Sequence, residues 1–126
     1  MDITSIQVAP VLVVCLCAEW CNVCCDYKSR FAQVRQSVQA NHPQVQFLWI
    51  DVEDDADLLH PLDVENFPTL LLAAGNAPHF FGPVTPQVHT LERMVHRMIN
   101  DAGQPTLTDP AVVALVARIR LDKELP

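Results

Sequence analysis

From Pro10 to Cys17 the chain reads Pro-Val-Leu-Val-Val-Cys-Leu-Cys, with no charged or amide side chain. A run this short, continuous and rich in β-branched residues suits a strand buried on both faces. It is too short to span a bilayer. Extended back to Val8 it has the apolarity of a signal-peptide core. Yet it follows Asp2 rather than Lys or Arg, and residues 21–30 turn polar at once. The run is therefore read as a central strand, in a protein of the cytoplasm, where thiols are normally reduced. Val23, Tyr27, Phe31, Val34 and Val38 then recur at spacings of three and four. That pattern predicts a helix from Asn22 to about Ala40 with these residues on one face. Asn41-His42-Pro43 ends it, and Val45 to Asp51 is a second buried strand. Strand, helix and strand in succession imply parallel pairing through a right-handed crossover.

The remaining chain is acidic and then helix-like from Glu53 to Leu62, and Phe67-Pro68 interrupts before a third strand, Thr69 to Ala74. Gly75-Asn76 offers turn chemistry, so His79 to Phe81 is expected to return antiparallel as a short fourth strand. Thr85-Pro86 is an N-cap and first-turn signal for a helix burying Val88, Leu91, Val95, Met98 and Ile99. Asp109-Pro110 repeats the signal for a last helix with Val112, Leu115, Val116 and Ile119 as its stripe. The expectation is one α/β domain over residues 1–126. Its mixed sheet has about four strands (βαβ, then ββα), helices on both faces and an extra C-terminal helix.

Half the residues are apolar, which excludes intrinsic disorder. The formal charge is −7, and Lys and Arg form no cluster. Nucleic acid and anionic membrane surfaces are therefore excluded as partners, since both require concentrated cationic side chains.

All five cysteines fall between Cys15 and Cys25. Such a cluster cannot tie distant segments together as a disulfide framework does, and points to local chemistry. Cys21 and Cys24 form a CxxC beside a βαβ pattern, a redox signal. With a strand ending near Cys17 and a helix starting near Asn22, Cys21 sits at the helix N-terminus. Unpaired N–H groups and the helix dipole favour anions there, and thiolate is the species that attacks disulfides. Cys24 lies one turn further on, close enough to resolve a mixed disulfide at Cys21. Cys15 and Cys17 share one side of the strand and are read as small buried hydrophobes; a bridge between them would be strained. Cys25 is read as a spare thiol.

The other ligand-like patterns are weaker. Zinc commonly takes two CxxC pairs or a CxxC with a His pair, and one pair is present. Cys15, Cys17 and Cys25 could add ligands, which leaves soft Cu(I) chemistry open. Asp51, Glu53, Asp54, Asp55 and Asp57 superficially suggest calcium. An EF-hand loop counted from Asp51 would put Ala56 and Leu62 where Gly and Glu are needed, so a solvated acidic loop is expected. The histidines lack ligand spacing, and His89 and His96 are read as surface residues. No Gly-rich phosphate loop supports a nucleotide cofactor.

Ala18-Glu19-Trp20-Cys21, Phe67-Pro68-Thr69, the following Leu70-Leu71-Leu72 and Gly82 together resemble the thioredoxin family over roughly residues 10–100. The resemblance implies a thioredoxin-like core over about 10–100 and a C-terminal helical extension over about 104–126. It implies Cys21 as nucleophile and Cys24 as resolving thiol. Trp20, Phe67, Pro68 (cis in that family) and Thr69 would border a groove for an extended substrate segment, with Pro68 also crowding metal ions away from the dithiol. The implied activity is thiol–disulfide exchange on protein disulfides, with a reductase or glutathione as electron donor and no bound cofactor. A redox-inactive adaptor using the same groove, or a thiol-based metal carrier, are the alternatives. The chain departs from the family in having Asn22-Val23 between the cysteines, Cys15 in place of a buried acid and Phe47 near the place of its partner lysine. Few residues precede Pro10, so the family's first strand and helix are expected to lack counterparts here. The helix from Pro110 is expected to cover the face this leaves bare.

Overall fold

The expected βαβ order, hairpin and two further helices are all present in a computed structural model, which describes residues 10–100 and 104–125. In chain order the elements are β1 (Val11–Cys17), α1 (Asn22–Gln39), β2 (Gln46–Asp51), α2 (Ala56–Leu59), β3 (Thr69–Ala74), β4 (Ala77–Pro83), α3 (Val88–Asn100) and α4 (Pro110–Asp122). The expectation for the segment before Pro10 lies outside the described residues.

The four strands form one sheet in the order β2-β1-β3-β4. β1 pairs parallel to β2 and antiparallel to β3, and β3 pairs antiparallel to β4. The continuous apolar run thus occupies an interior strand, with all of its residues buried. Alternation along β1 divides them between two cores. Val11, Val13, Cys15 and Cys17 face α1 and α3, whereas Leu12, Val14 and Leu16 face α4 and the short α2.

α1 buries Cys24, Tyr27, Phe31, Val34 and Val38. The predicted stripe began at Val23, which is instead 42% exposed. Cys24, its neighbour in the same turn, takes the inward place. α3 buries Leu91, Val95 and Met98, with Val88 and Ile99 packed at the margin. It starts at Val88, so Thr85 and Pro86 precede the helix; the Thr85 and Thr90 hydroxyls share a hydrogen bond of 3.1 Å.

α4 starts as the sequence predicts. The Asp109 carboxylate caps it by accepting from the Ala111 N–H at 2.9 Å, and Pro110 opens the first turn. Val112, Leu115, Val116 and Ile119 pack on Leu12, Val14, Leu16, Ile50, Leu71 and Ala73, covering that face of the sheet. Arg120 fixes the helix at the end of the sheet remote from the cysteines. Its guanidinium donates to the carbonyls of Gly75 (2.6 Å) and Pro10 (3.1 Å) and to the side-chain oxygen of Gln46 (3.2 Å).

Candidate thiol site

Where β1 ends, residues 18–21 turn the chain into α1. The Cys21 N–H donates to the Ala18 carbonyl at 3.1 Å, and the first helical bond runs from the Cys25 N–H to the Cys21 carbonyl. Cys21 is therefore the N-cap, in extended conformation, with no side-chain cap bond and no acidic residue in the following turn. Its sulfur sits half-buried where first-turn N–H groups lack helical partners.

The turn is pinned from β2. The Asp51 carboxylate accepts from the backbone N–H groups of Glu53 (2.8 Å), Glu19 (3.0 Å) and Asp54 (3.1 Å). The Asp54 N–H above all, with those of Glu53 and Glu19 and the nearby Lys28 charge, holds the carboxyl below its ordinary range. Part of the acidic stretch, expected to be simply solvated, thus organises the site. Glu53 contributes too, accepting from the Trp20 indole N–H at 3.0 Å.

Trp20 is 65% exposed and meets Phe67 edge to face, with ring centroids 5.6 Å apart. Phe67 joins Pro68 through a cis peptide. Pro68 is buried, and its carbonyl accepts from the Val84 N–H at 3.0 Å. Thr69 is also buried, its hydroxyl donating to the Asn66 carbonyl at 2.6 Å. Cys21 and Phe67 border the same core cluster, and Trp20, the chain neighbour of Cys21, links Phe67 to the turn. Trp20 and Phe67 offer open apolar surface. The polar groups named on Pro68 and Thr69 are already engaged within the protein.

The five cysteines have separate situations. Cys24 is bonded to Cys17, with Cα atoms 5.8 Å apart, rather than to Cys21. Both are 1% exposed. Cys15, Cys21 and Cys25 are free. Cys15 is fully buried and donates weakly to the Cys17 sulfur at 3.9 Å, and burial pushes its thiol well above the ordinary range. Cys17 was expected to be a passive buried hydrophobe, and its pairing with Cys24 corrects that reading. The missed signal is the alternation itself: the odd positions of β1 face α1, and the turn at 18–21 brings the strand's last residue against the helix's first turn. Cys25 is exposed and donates to the Glu19 carbonyl at 3.4 Å.

Tyr27 belongs to the same buried layer. Its hydroxyl has no hydrogen-bond partner, and burial first, then neighbouring Cys15, raises it above the ordinary phenol range. On the outer side of Cys24 and Cys25, a hollow of about 500 Å³ is lined by Lys28, Trp49, Asp51 and Asp54 among others. A larger hollow, about 630 Å³, lies beside Gly75 and Arg120 and holds no thiol. Among the described residues no group of three or more His, Cys, Asp or Glu side chains could hold a metal ion, and no helix is long and apolar enough to cross a membrane.

The sequence profile of the family described as Thioredoxin matches residues 4–94. No curated protein sequence matches significantly. Among solved structures, the fold is similar to the thioredoxin of Fasciola hepatica (TM-score 0.62, 18% identity, covering 75% of this chain and 86% of that one). It is similar to the thioredoxin of Trypanosoma brucei brucei (TM-score 0.62, 17% identity, 78% and 83% covered). It also resembles mitochondrial thioredoxin 3 of Saccharomyces cerevisiae in its oxidized form (TM-score 0.59, 22% identity, 74% and 83% covered).

Proposed function

Since the chain belongs to the thioredoxin family, we propose that it is a thiol–disulfide oxidoreductase that reduces protein disulfides through Cys21 and Cys24. The observation that carries this reading is Cys21 itself: a free, half-exposed cysteine at the N-cap position of α1, next in the chain to Trp20 of the open Trp20–Phe67 surface. In the reduced protein the Cys21 thiolate attacks one sulfur of a substrate disulfide, forming a mixed disulfide and releasing the other sulfur as a thiolate. Cys24 then attacks the Cys21 sulfur, releases the second substrate thiolate and leaves the protein oxidised. A reductase or glutathione returns the electrons, no resident cofactor takes part, and a reducing compartment such as the cytoplasm suits this direction. Trp20 and Phe67 supply the docking surface for the substrate segment, with Pro68 and Thr69 shaping its floor.

A second reading is a binding protein that uses the same surface without turnover. The bond between Cys17 and Cys24 favours it, because that bond withdraws the resolving thiol. Insulin-disulfide reduction by the wild type and by Cys21→Ser separates the two, with peptide binding measured alongside. The oxidoreductase reading expects steady reduction by the wild type and a loss of at least about a hundredfold in the variant. No reduction by the wild type, with peptide binding retained in Cys21→Ser, establishes the binding protein instead.

A further inference from the structure

The bonding of Cys24 to Cys17 instead of Cys21 leaves a free thiol at the mouth of the site and a disulfide behind it. Resting on the oxidoreductase reading above, we propose that Cys17 is a third exchanging thiol, which draws the disulfide inward from Cys21–Cys24 to Cys17–Cys24 and regenerates Cys21. The step balances without any added oxidant. The Cys17 thiolate attacks the Cys24 sulfur, the Cys21–Cys24 bond breaks, the Cys17–Cys24 bond forms and Cys21 leaves as thiolate. Cys17 is oxidised, Cys21 is reduced, and the protein keeps the same number of disulfides.

Placement supports each part of this sequence. Cys24 is shared between the two bonds, one helical turn from Cys21 and across the turn from the last residue of β1. Cys21 borders the core cluster that contains both Cys17 and Cys24, so all three sulfurs belong to one packed layer. Exposure falls from the half-buried Cys21 to Cys24 and Cys17, each 1% exposed. An external thiol therefore meets the Cys21 sulfur more readily than either sulfur of the inner bond. The same burial gives the relay its direction of access: oxidation arrives at Cys21 and is stored one position deeper.

The consequence for activity is a gate. While the disulfide is held at Cys17–Cys24, Cys21 can still attack a substrate, but its resolving partner is occupied. The mixed disulfide then persists until an external thiol cleaves it, or reduces Cys17–Cys24 so that the freed Cys24 thiolate resolves it. One oxidation event thus converts a dithiol reductant into a single-thiol trap.

The test treats the fully reduced full-length protein with one equivalent of oxidised glutathione, quenches with acid at intervals and blocks free thiols with N-ethylmaleimide. Cleavage after Glu19 separates Cys17 from Cys21 and Cys24, so a Cys17–Cys24 bond links two fragments whereas a Cys21–Cys24 bond does not. Fragment-ion sequencing assigns the bonded cysteine in each. The expected record is glutathionylated Cys21 first, Cys21–Cys24 next, and cross-linked fragments with alkylated Cys21 at the end. In Cys21→Ser the cross-link should form much more slowly than in the wild type, because Cys17 and Cys24 are each only 1% exposed. Cys21–Cys24 as the sole final product overturns the relay and leaves the oxidoreductase reading intact, as the insulin assay on the same sample shows. Equally fast cross-linking in Cys21→Ser also overturns the relay, since the inner pair then oxidises without Cys21. No protein disulfide and no insulin reduction together overturn both.

Discussion

The two faces of the sheet share a backbone and are built for different ends. Behind β1 and β3, α4 lays Val112, Leu115, Val116 and Ile119 on Leu12, Val14, Leu16 and Leu71, an interior made of aliphatic side chains. In front, the odd positions of β1 place Cys15 and Cys17 against Cys24 and Tyr27 of α1, a layer with polarizable sulfur and a hydroxyl left without a partner. The first arrangement maximises apolar contact. The second keeps buried groups that cost stability, which the proposed thiol exchange would put to use. A single strand serves both, since its alternation sends one set of side chains to each side.

The comparison is broken most severely at the aliphatic face. Leu115→Ala should cost about 2–5 kcal/mol in urea unfolding, as a buried leucine truncated in a packed interior does, while thiol exchange by the folded fraction stays as in the wild type. A loss of exchange without a loss of stability would mean the faces are not separable. Arg120→Met should cost less, about 1.5–3 kcal/mol, the scale of a charged hydrogen-bonding group. Its signature is localised: hydrogen exchange should quicken first at Gly75 and at the start of β1.

Tyr27→Phe sharpens the contrast from the other side. Removing an unpartnered buried hydroxyl should raise stability by about 1 kcal/mol, read by thermal or urea unfolding. A fall instead would reveal that the hydroxyl is engaged with the thiols around it.

The smallest effect concerns Asp51. Its folded carboxyl titrates below the ordinary range, so the unfolded chain takes up the proton first as pH falls. The stability it supplies is complete above the ordinary carboxylate range and is lost as pH drops through its lowered value. Asp51→Asn should flatten that acid limb of the stability–pH curve and lower the neutral plateau slightly. An unchanged acid limb would remove Asp51 from the framework of the turn.

Much of this architecture was legible because periodicity is a local property. The unbroken run at Pro10–Cys17, the α1 stripe and the Asp109-Pro110 start each declare an element within a few residues. Trp20 and Phe67, far apart in the chain, came together through their family resemblance. The pairing of Cys17 with Cys24 was not legible, because CxxC spacing describes neighbours on one helix whereas this bond depends on how a strand end meets that helix. The same limit hid Asp51 and Glu53. Composition marks them as solvated carboxylates, and only the closure of β2 beside residues 18–21 gives them backbone and indole donors to accept from. Val23 failed for a subtler reason, since it and Cys24 are adjacent and both fit the row that leads to Tyr27.

The position of α4 in the chain has a consequence for biosynthesis. Every strand leaves the ribosome before Arg120 does, and that residue reaches back to Pro10. Contacts between segments so distant in sequence form late. Until they form, Leu12, Val14, Leu16 and Leu71 present an uncovered greasy surface to other nascent chains, the kind that holdase chaperones bind. A stalled or truncated product ending before Pro110 would carry the complete cysteine cluster on a sheet still open at the back.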